Sequence, residues 1–429
     1  MNKLFKLKEH NVTFKSELTA GLTSFFAAVY IIIVNSSILS DAGMPMEGLI
    51  VATVLSSLIG TWLLSFMSNT PLVIMPGMGI NALFTYTIIK SMGLSFSEGL
   101  AAVVIAGIIF SIVAFTKLST IISDAIPQSL KEAITVGIGL FITFIGLQKS
   151  GLVVASETTL VSLGNLASPS IIAFFIILII TLYLFVKDVP GAFLISIIVG
   201  TLICFGFGLI DVSGLSFGSA NLSSYKELFL NVSFSKISTS SFWIATFSLA
   251  LVLIFENIGL IHGQVGMLNA EEKFKPALKA TALSTIFCGL LGTSPSVSTV
   301  EGIAGIAAGG KTGLSSFITG LLFLLSLLFI PFIKIIPNAA IAPILIILGA
   351  LMIKNIEHIN FSDFTEGFPA FLIITLIPLT YSIVDGIAFG FISYPFVKLF
   401  AKKRNEISIP MYLVSLLFLV YFILHSINI

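Results

Sequence analysis

Fourteen apolar runs, each fourteen to twenty-three residues long and bounded by a charge, a proline or a glycine, divide this chain. They fall at 18–38, 48–66, 72–90, 98–117, 131–149, 170–186, 191–210, 242–263, 276–292, 295–308, 312–334, 339–354, 368–384 and 385–400. An α-helix needs ~20 residues to cross a hydrocarbon core. Lipid offers no partner to an unpaired backbone group, and continuous runs lack the ten-residue alternation of a membrane barrel, so helices are the remaining choice. Only 10% of the 429 residues are charged and 57% are hydrophobic, whereas a soluble chain carries about 25% charge. The fold class predicted is an all-α polytopic membrane protein of 14 spans embedded in a lipid bilayer.

The same sparsity of charge excludes other classes. A net charge of +1 with Arg404 as the one arginine gives nucleic acid no basic surface. Cys204 and Cys288 lie in apolar runs without CxxC spacing, and the four histidines form no HExxH pattern, so neither a metal nor a cofactor is expected. Gly77-Met-Gly79-Ile-Asn-Ala82 fits a dinucleotide fingerprint by letter, but no βαβ unit can surround it. An intramembrane hydrolase would need a nucleophile and base, for which Ser296 and His262 are faint candidates on different spans. The chain is not expected to be an enzyme.

Loop charge predicts orientation. With a cytoplasmic N-terminal segment (1–17), one side holds Lys3, Lys6, Lys8, Lys15, Lys117, Lys131, Lys187, Lys273, Lys275, Lys279, Lys311, Lys354, Lys398, Lys402, Lys403 and Arg404. The other holds only Lys90, Lys149, Lys226, Lys236 and Lys334. Positive loops face the cytoplasm, so both ends of the 14-span region are expected inside, in the plasma membrane. A further hydrophobic segment at 409–427 is either another span or an interfacial helix. Ile126-Pro127-Gln128 opens the fifth run as Ile336-Pro337-Asn338 opens the twelfth. Two copies of seven spans, an odd number, must be inverted, which is a transporter architecture.

Two runs are interrupted at matching places. In the third, Pro76 cannot donate a hydrogen bond, and Gly77 and Gly79 permit extended or left-handed backbone, so a helix is expected only from near Gly79. In the tenth, Ser294-Pro295 reads as a helix start. Both are predicted to be half-helices whose amino ends meet near the midplane and direct free N–H groups at a ligand. Of twenty Asp and Glu, eighteen fall in loops or near span ends, where water is expected to reach them. Glu256 lies inside the eighth run, and Glu301 on the first or second turn after Pro295. Carboxylates placed inside a membrane usually face a cavity, a partner or a proton path. No buried Lys or Arg is expected beside them. Two such groups would suit a planar ligand with adjacent N–H and C=O.

Around these residues the chain resembles the AzgA-like purine permeases, a branch of the nucleobase–cation symporter family that includes xanthine and uracil permeases. The resemblance rests on Thr19-Ala-Gly-Leu-Thr23, on Tyr30-Ile-Ile-Ile-Val-Asn35 through Pro45, on Pro76-Gly-Met-Gly-Ile-Asn81 and on Ala125-Ile-Pro-Gln-Ser-Leu-Lys131. It continues through Gly292-Thr-Ser-Pro295, Glu301-Gly-Ile-Ala-Gly, Asp363-Phe-Thr-Glu366 and Pro378-Leu-Thr-Tyr-Ser382. It implies a 7+7 inverted repeat with a core domain (18–117, spans 1–4, and 242–334, spans 8–11) and a gate domain (131–210, spans 5–7, and 339–400, spans 12–14). It further implies a homodimer, elevator-type alternating access, and proton-coupled uptake of hypoxanthine, guanine or adenine. Glu256 and Glu301 match the family's acidic positions and would also carry the proton. Asn81, Ser298, Thr299 and Val300 complete the expected binding set. Two departures stand out: Phe255-Glu256-Asn257 replaces the branch's Phe-Asp-Thr, and Thr299-Val-Glu301-Gly302 replaces Tyr-Ile-Glu-Ser. The alternatives are a xanthine or uracil carrier and a small-anion carrier of the same fold.

Overall fold

The computed structural model describes residues 4–119, 126–210 and 222–427; Ala125 and loop residues 211–221 lie outside them. The apolar runs are helices: α1 (Phe14–Ala28), α2 (Ile31–Ser40), α3 (Met46–Met67), α5 (Phe96–Phe115), α6 (Gln128–Lys149), α7 (Pro169–Val186), α8 (Ala192–Gly206), α9 (Ser240–Met267) and α10 (Phe274–Leu291). The series continues with α12 (Gly313–Leu325, prolonged through a 3-10 turn to Ile333), α13 (Asn338–Ile353), α14 (Phe364–Thr380), α15 (Ile383–Phe400) and α16 (Ile409–Ile427). Among the described residues, nine helical stretches are long and apolar enough to cross a membrane.

Local chemistry sets many boundaries. Thr13, Ser95, Ser168, Thr312, Asp363 and Ser382 each accept a first-turn N–H and start a helix. The first apolar run is two helices, because the chain turns at Val29 and Tyr30.

The two interrupted runs form a different structure from continuous helices. The third is strand β1 (Ile74–Pro76), then α4 (Met78–Ala82), which widens into a π-helix (Leu83–Ser91). The tenth is strand β4 (Ser296–Ser298), then α11 (Gly302–Ala307). A separate hairpin, β2 (Val153–Ser156) with β3 (Leu160–Leu163), lies in the loop after α6. β1 and β4 pair antiparallel, with Ile74 opposite Ser298 and Pro76 opposite Ser296. Antiparallel strands from matching places of the two halves are related by a local two-fold, as inverted copies must be.

The helices pack in two neighbourhoods. α5 lies against α9 and α10, α3 against α10 and α12, and α1 against α11 and α12. α6 lies against α13 and α14, α14 against α15, and α7 against α8 and α13. α4 touches α6 across the divide. There the value of Gly79 is space rather than freedom of φ: a Cβ would sit 2.7 Å from Ile138 Cγ2. Gly77 is likewise extended, at φ −75°, with Val297 Cγ2 2.8 Å from where its Cβ would be. α16 packs along α15 and α9, and Ser415 donates to Phe391 O at 2.5 Å.

Several charges expected near water are buried. Glu17 is fully buried and caps α12: its Oε1 accepts from Lys311 N–H at 2.9 Å, and its Oε2 from Ser315 Oγ at 2.6 Å and Ser315 N–H at 3.2 Å. Glu98, 7% exposed, closes a capping box with Ser95. Lys398, 1% exposed, is held by Glu366 at 2.6 Å and Glu406 at 2.5 Å. The expectation of eighteen water-reached carboxylates therefore fails at Glu17, because the α12 start it caps is packed inside the protein, and at Glu98, whose Oε1 accepts from Ser235 Oγ of the following loop at 2.6 Å.

Candidate substrate-binding site

Proline sets up the site. Pro76 and Pro295 each remove a backbone donor that a continuous helix would use, and both segments lie extended and fully buried beside each other. Such backbone inside a membrane protein must find its partners within the protein. Side chains supply them. Thr61 Oγ1 accepts from Ile74 N–H at 3.2 Å and donates to Ile74 O at 2.9 Å. Asn257 Oδ1 accepts from Ser298 N–H at 3.0 Å. Gln264 accepts from Ser298 Oγ and donates to Thr299 O, both at 2.6 Å.

A cavity of about 660 Å³ opens beside this crossing, well inside the range of small-molecule sites, roughly 300–1,000 Å³. One wall is the strand pair and its continuations, Met75 to Gly79 and Val297 to Glu301. The second is the α9 stretch from Phe255 to Leu260, and the third, from the other helix neighbourhood, is the first half of α6 with the end of α13 and Asn355. Glu256 and Glu301 both line it. Glu301 stands at the N-cap of α11 and accepts a hydrogen bond on Oε1 from the Tyr30 hydroxyl. Three residues beyond Glu256, Gly259 faces open space, with nothing within 4 Å of where a Cβ would be.

Of the expected binding residues, Glu256, Glu301, Ser298, Thr299 and Val300 are brought together here, as are Pro76, Gly77 and Gly79. Pro295 is one residue behind, accepting from Gly77 N–H at 3.4 Å. Asn81 does not line the cavity. It is fully buried on α4 and donates to Asn35 Oδ1 at 3.1 Å, within a network that ties Asn35 to Thr53, Thr293 and Ser294. Its place one turn into α4 points it at α2 instead. The helix of the tenth run starts at Gly302 rather than after Pro295, because pairing with β1 keeps Ser296 to Ser298 extended. That puts Glu301 just ahead of the helix rather than on its first or second turn.

The sequence reading missed the opposite wall. Gln128, Lys131, Glu132 and Thr135 come from α6, with Lys131 Nζ 5.8 Å from the centre of the Phe255 ring beside Glu256. Gln128 donates to Glu132. A cavity lysine was not expected, since Lys131 sits at the edge of its run and reads as a loop charge. Tyr30 was visible only as part of a resembling block; its partner is 271 residues away.

Known proteins fit this architecture. Residues 15–389 match the Permease family of xanthine and uracil permeases. The nucleobase transporter PlAzg2 of Paenibacillus larvae is 46% identical over 89% of this chain and 76% of its own length. The guanine/hypoxanthine permease PbuO of Bacillus subtilis is 38% identical over 97% of this chain and 99% of its own. The adenine permease AdeP of Escherichia coli is 33% identical over 98% and 95%. Among solved structures, the transmembrane domain of the cyanobacterial bicarbonate transporter BicA superposes with a TM-score of 0.66 at 15% identity, covering 88% of this chain and 98% of that one. It is similar in fold alone, the 7+7 inverted-repeat transporter fold. With strands crossing between two inverted halves, a cavity at the crossing and these relatives, the chain belongs to the Permease family, in its AzgA-like purine permease branch.

Proposed function

We propose that this protein imports purine bases, hypoxanthine, guanine or adenine, together with protons across the plasma membrane. The observation that carries the reading is the convergence of two carboxylates, Glu256 from α9 and Glu301 from the head of α11, on one cavity of about 660 Å³. A purine offers N–H donors in one plane, and carboxylates are acceptors for them. Glu301 takes the base, helped by N–H groups at the head of α4, while Ser298, Thr299 and Val300 shape the wall. Glu256 carries the proton. The open side of Gly259 leaves room for a flat ring.

The neighbourhood of α1, α3, α5 and α9 to α12 is the core, and that of α6 to α8 and α13 to α15 is the gate, in a fourteen-span chain with its N-terminus in the cytoplasm. The core carries the base past the gate as an elevator, in a homodimer. The cavity touches the first half of α6, which the loop charges assign to the cytoplasmic side. At the other end of α6, Lys149 pairs with Asp41 at 2.9 Å, and Tyr86 donates to the same carboxylate at 2.6 Å. The Lys149–Asp41 contact between the neighbourhoods supports a site open inward and closed outward. Lys131 removes one argument against an anion cargo, but relatives at 33–46% identity that are named for nucleobases support a base.

Uptake of labelled hypoxanthine, guanine, adenine, xanthine and uracil, with and without an uncoupler, tests this. Purine uptake that collapses with the uncoupler is expected; uptake indifferent to it would remove the proton. Normal uptake by Glu301→Gln would remove Glu301 from the site, and competition by bicarbonate or sulfate would favour the anion carrier.

A further inference from the structure

The break between α1 and α2 places Tyr30, fully buried, on the cavity wall beside Glu301. Its hydroxyl donates to Glu301 Oε1. The ring cannot easily swing away. Its edge packs on Phe193 of α8, with centroids 5.0 Å apart at 69°, and Phe193 in turn stacks on Phe185 at 5.8 Å. Tyr30 thus spans the two helix neighbourhoods, with its hydroxyl on α11 and its ring against α8.

A carboxylate with both oxygens open can accept two parallel N–H donors at once. Here one oxygen is already engaged. We propose that Tyr30 is the specificity-determining positioning residue of this site: by donating to Oε1 it fixes the plane of the carboxylate and makes that oxygen a shared, weaker acceptor, so that a base with two N–H groups on its six-membered edge gains less over a base with one. The inference rests on the purine reading above. Hypoxanthine presents N1–H alone on that edge, while guanine presents N1–H and the 2-amino group side by side. Against a carboxylate with both oxygens open guanine would gain a full second charge-assisted bond, and against one whose Oε1 is shared with Tyr30 it gains a weaker one. The packing of Tyr30 on Phe193 keeps the phenol in register as the ligand arrives.

The test is the ratio of KM values for guanine and hypoxanthine uptake in Tyr30→Phe, which deletes the hydroxyl and keeps the ring on Phe193. Freeing Oε1 is expected to lower the guanine KM relative to that of hypoxanthine by about tenfold, the worth of one added hydrogen bond to a charged group. An unchanged ratio overturns the proposal, whether both KM values hold or rise together, because a merely structural tyrosine would weaken both bases alike. Tyr30→Met also lacks the donor and supplies the same ratio if the Phe variant does not reach the membrane. Wild-type protein that takes up neither base overturns the purine reading and this inference together, whereas wild-type uptake of both with an unmoved ratio overturns only the assignment of Tyr30.

Discussion

Glu17, at the edge of the first apolar run, and Glu301, inside the tenth, both stand beside the start of a helix, and they do different things. Both oxygens of Glu17 are engaged by this protein: two backbone N–H groups and a serine hydroxyl from the turn at residues 311–315 close on it. Glu301 has one phenol on one oxygen and a cavity in front of it. Glu17 is fully buried and Glu301 partly so, and the number of protein donors on their oxygens separates them further. Glu256, which lines the same cavity, falls on the side of Glu301.

The comparison breaks most visibly at Glu17. Glu17→Leu leaves the Lys311 and Ser315 donors unpaired in a buried place, which costs about 3 kcal/mol. The expected outcome is a lower unfolding temperature in detergent and little protein in the membrane, and a stable variant would mean that filled acceptors do not mark structural carboxylates. Glu256→Gln should do the reverse: protein of wild-type thermal stability whose uncoupler-sensitive uptake falls by at least about tenfold, the worth of one interaction with a charged group.

Asn257, the next residue, sharpens the contrast. It lies on the other face of α9 and holds Ser298 N–H at 3.0 Å, so Asn257→Leu is expected to cost about 1–2 kcal/mol of stability and to reduce uptake of all bases in the same proportion. A change in base preference would place Asn257 in the site. The smallest effect is expected at Asp363, outside the spans. Lys403 beside it, at 2.5 Å, and then the Thr365 hydroxyl and N–H hold its carboxyl well below the usual carboxylate range. A depressed folded-state pKa contributes stability above the unfolded value and loses it on acidification. The margin of wild type over Asp363→Asn should therefore be present at pH 7 and shrink as the pH falls below about 4. A margin independent of pH would show that the ion pair contributes nothing beyond the cap.

Much of this was legible in the residues. Helical runs, the interruptions at Pro76 and Pro295, and Glu256 and Glu301 are local features, because a bilayer penalises an unpaired backbone group or carboxylate wherever it stands in the chain. Asn81 was assigned to the wrong surroundings since its distance from Pro76 says nothing about which way a helix turn faces. Lys131 was read as a loop charge, yet the first turns of α6 line the cavity. Pairing of three-residue strands has no periodic signature at all, and the partners Ile74 and Ser298 are separated by more than two hundred residues.

The order of apolar runs, their charged borders and their two proline breaks therefore determined that this is a membrane transporter-like chain with two places where backbone must leave the helix. Which carboxylate is filled and which faces a cavity, and that Tyr30 meets Glu301 from 271 residues away, was decided only by tertiary packing. Hydrocarbon acts on each segment separately, whereas a hydrogen-bond partner is chosen by whichever element folding brings alongside.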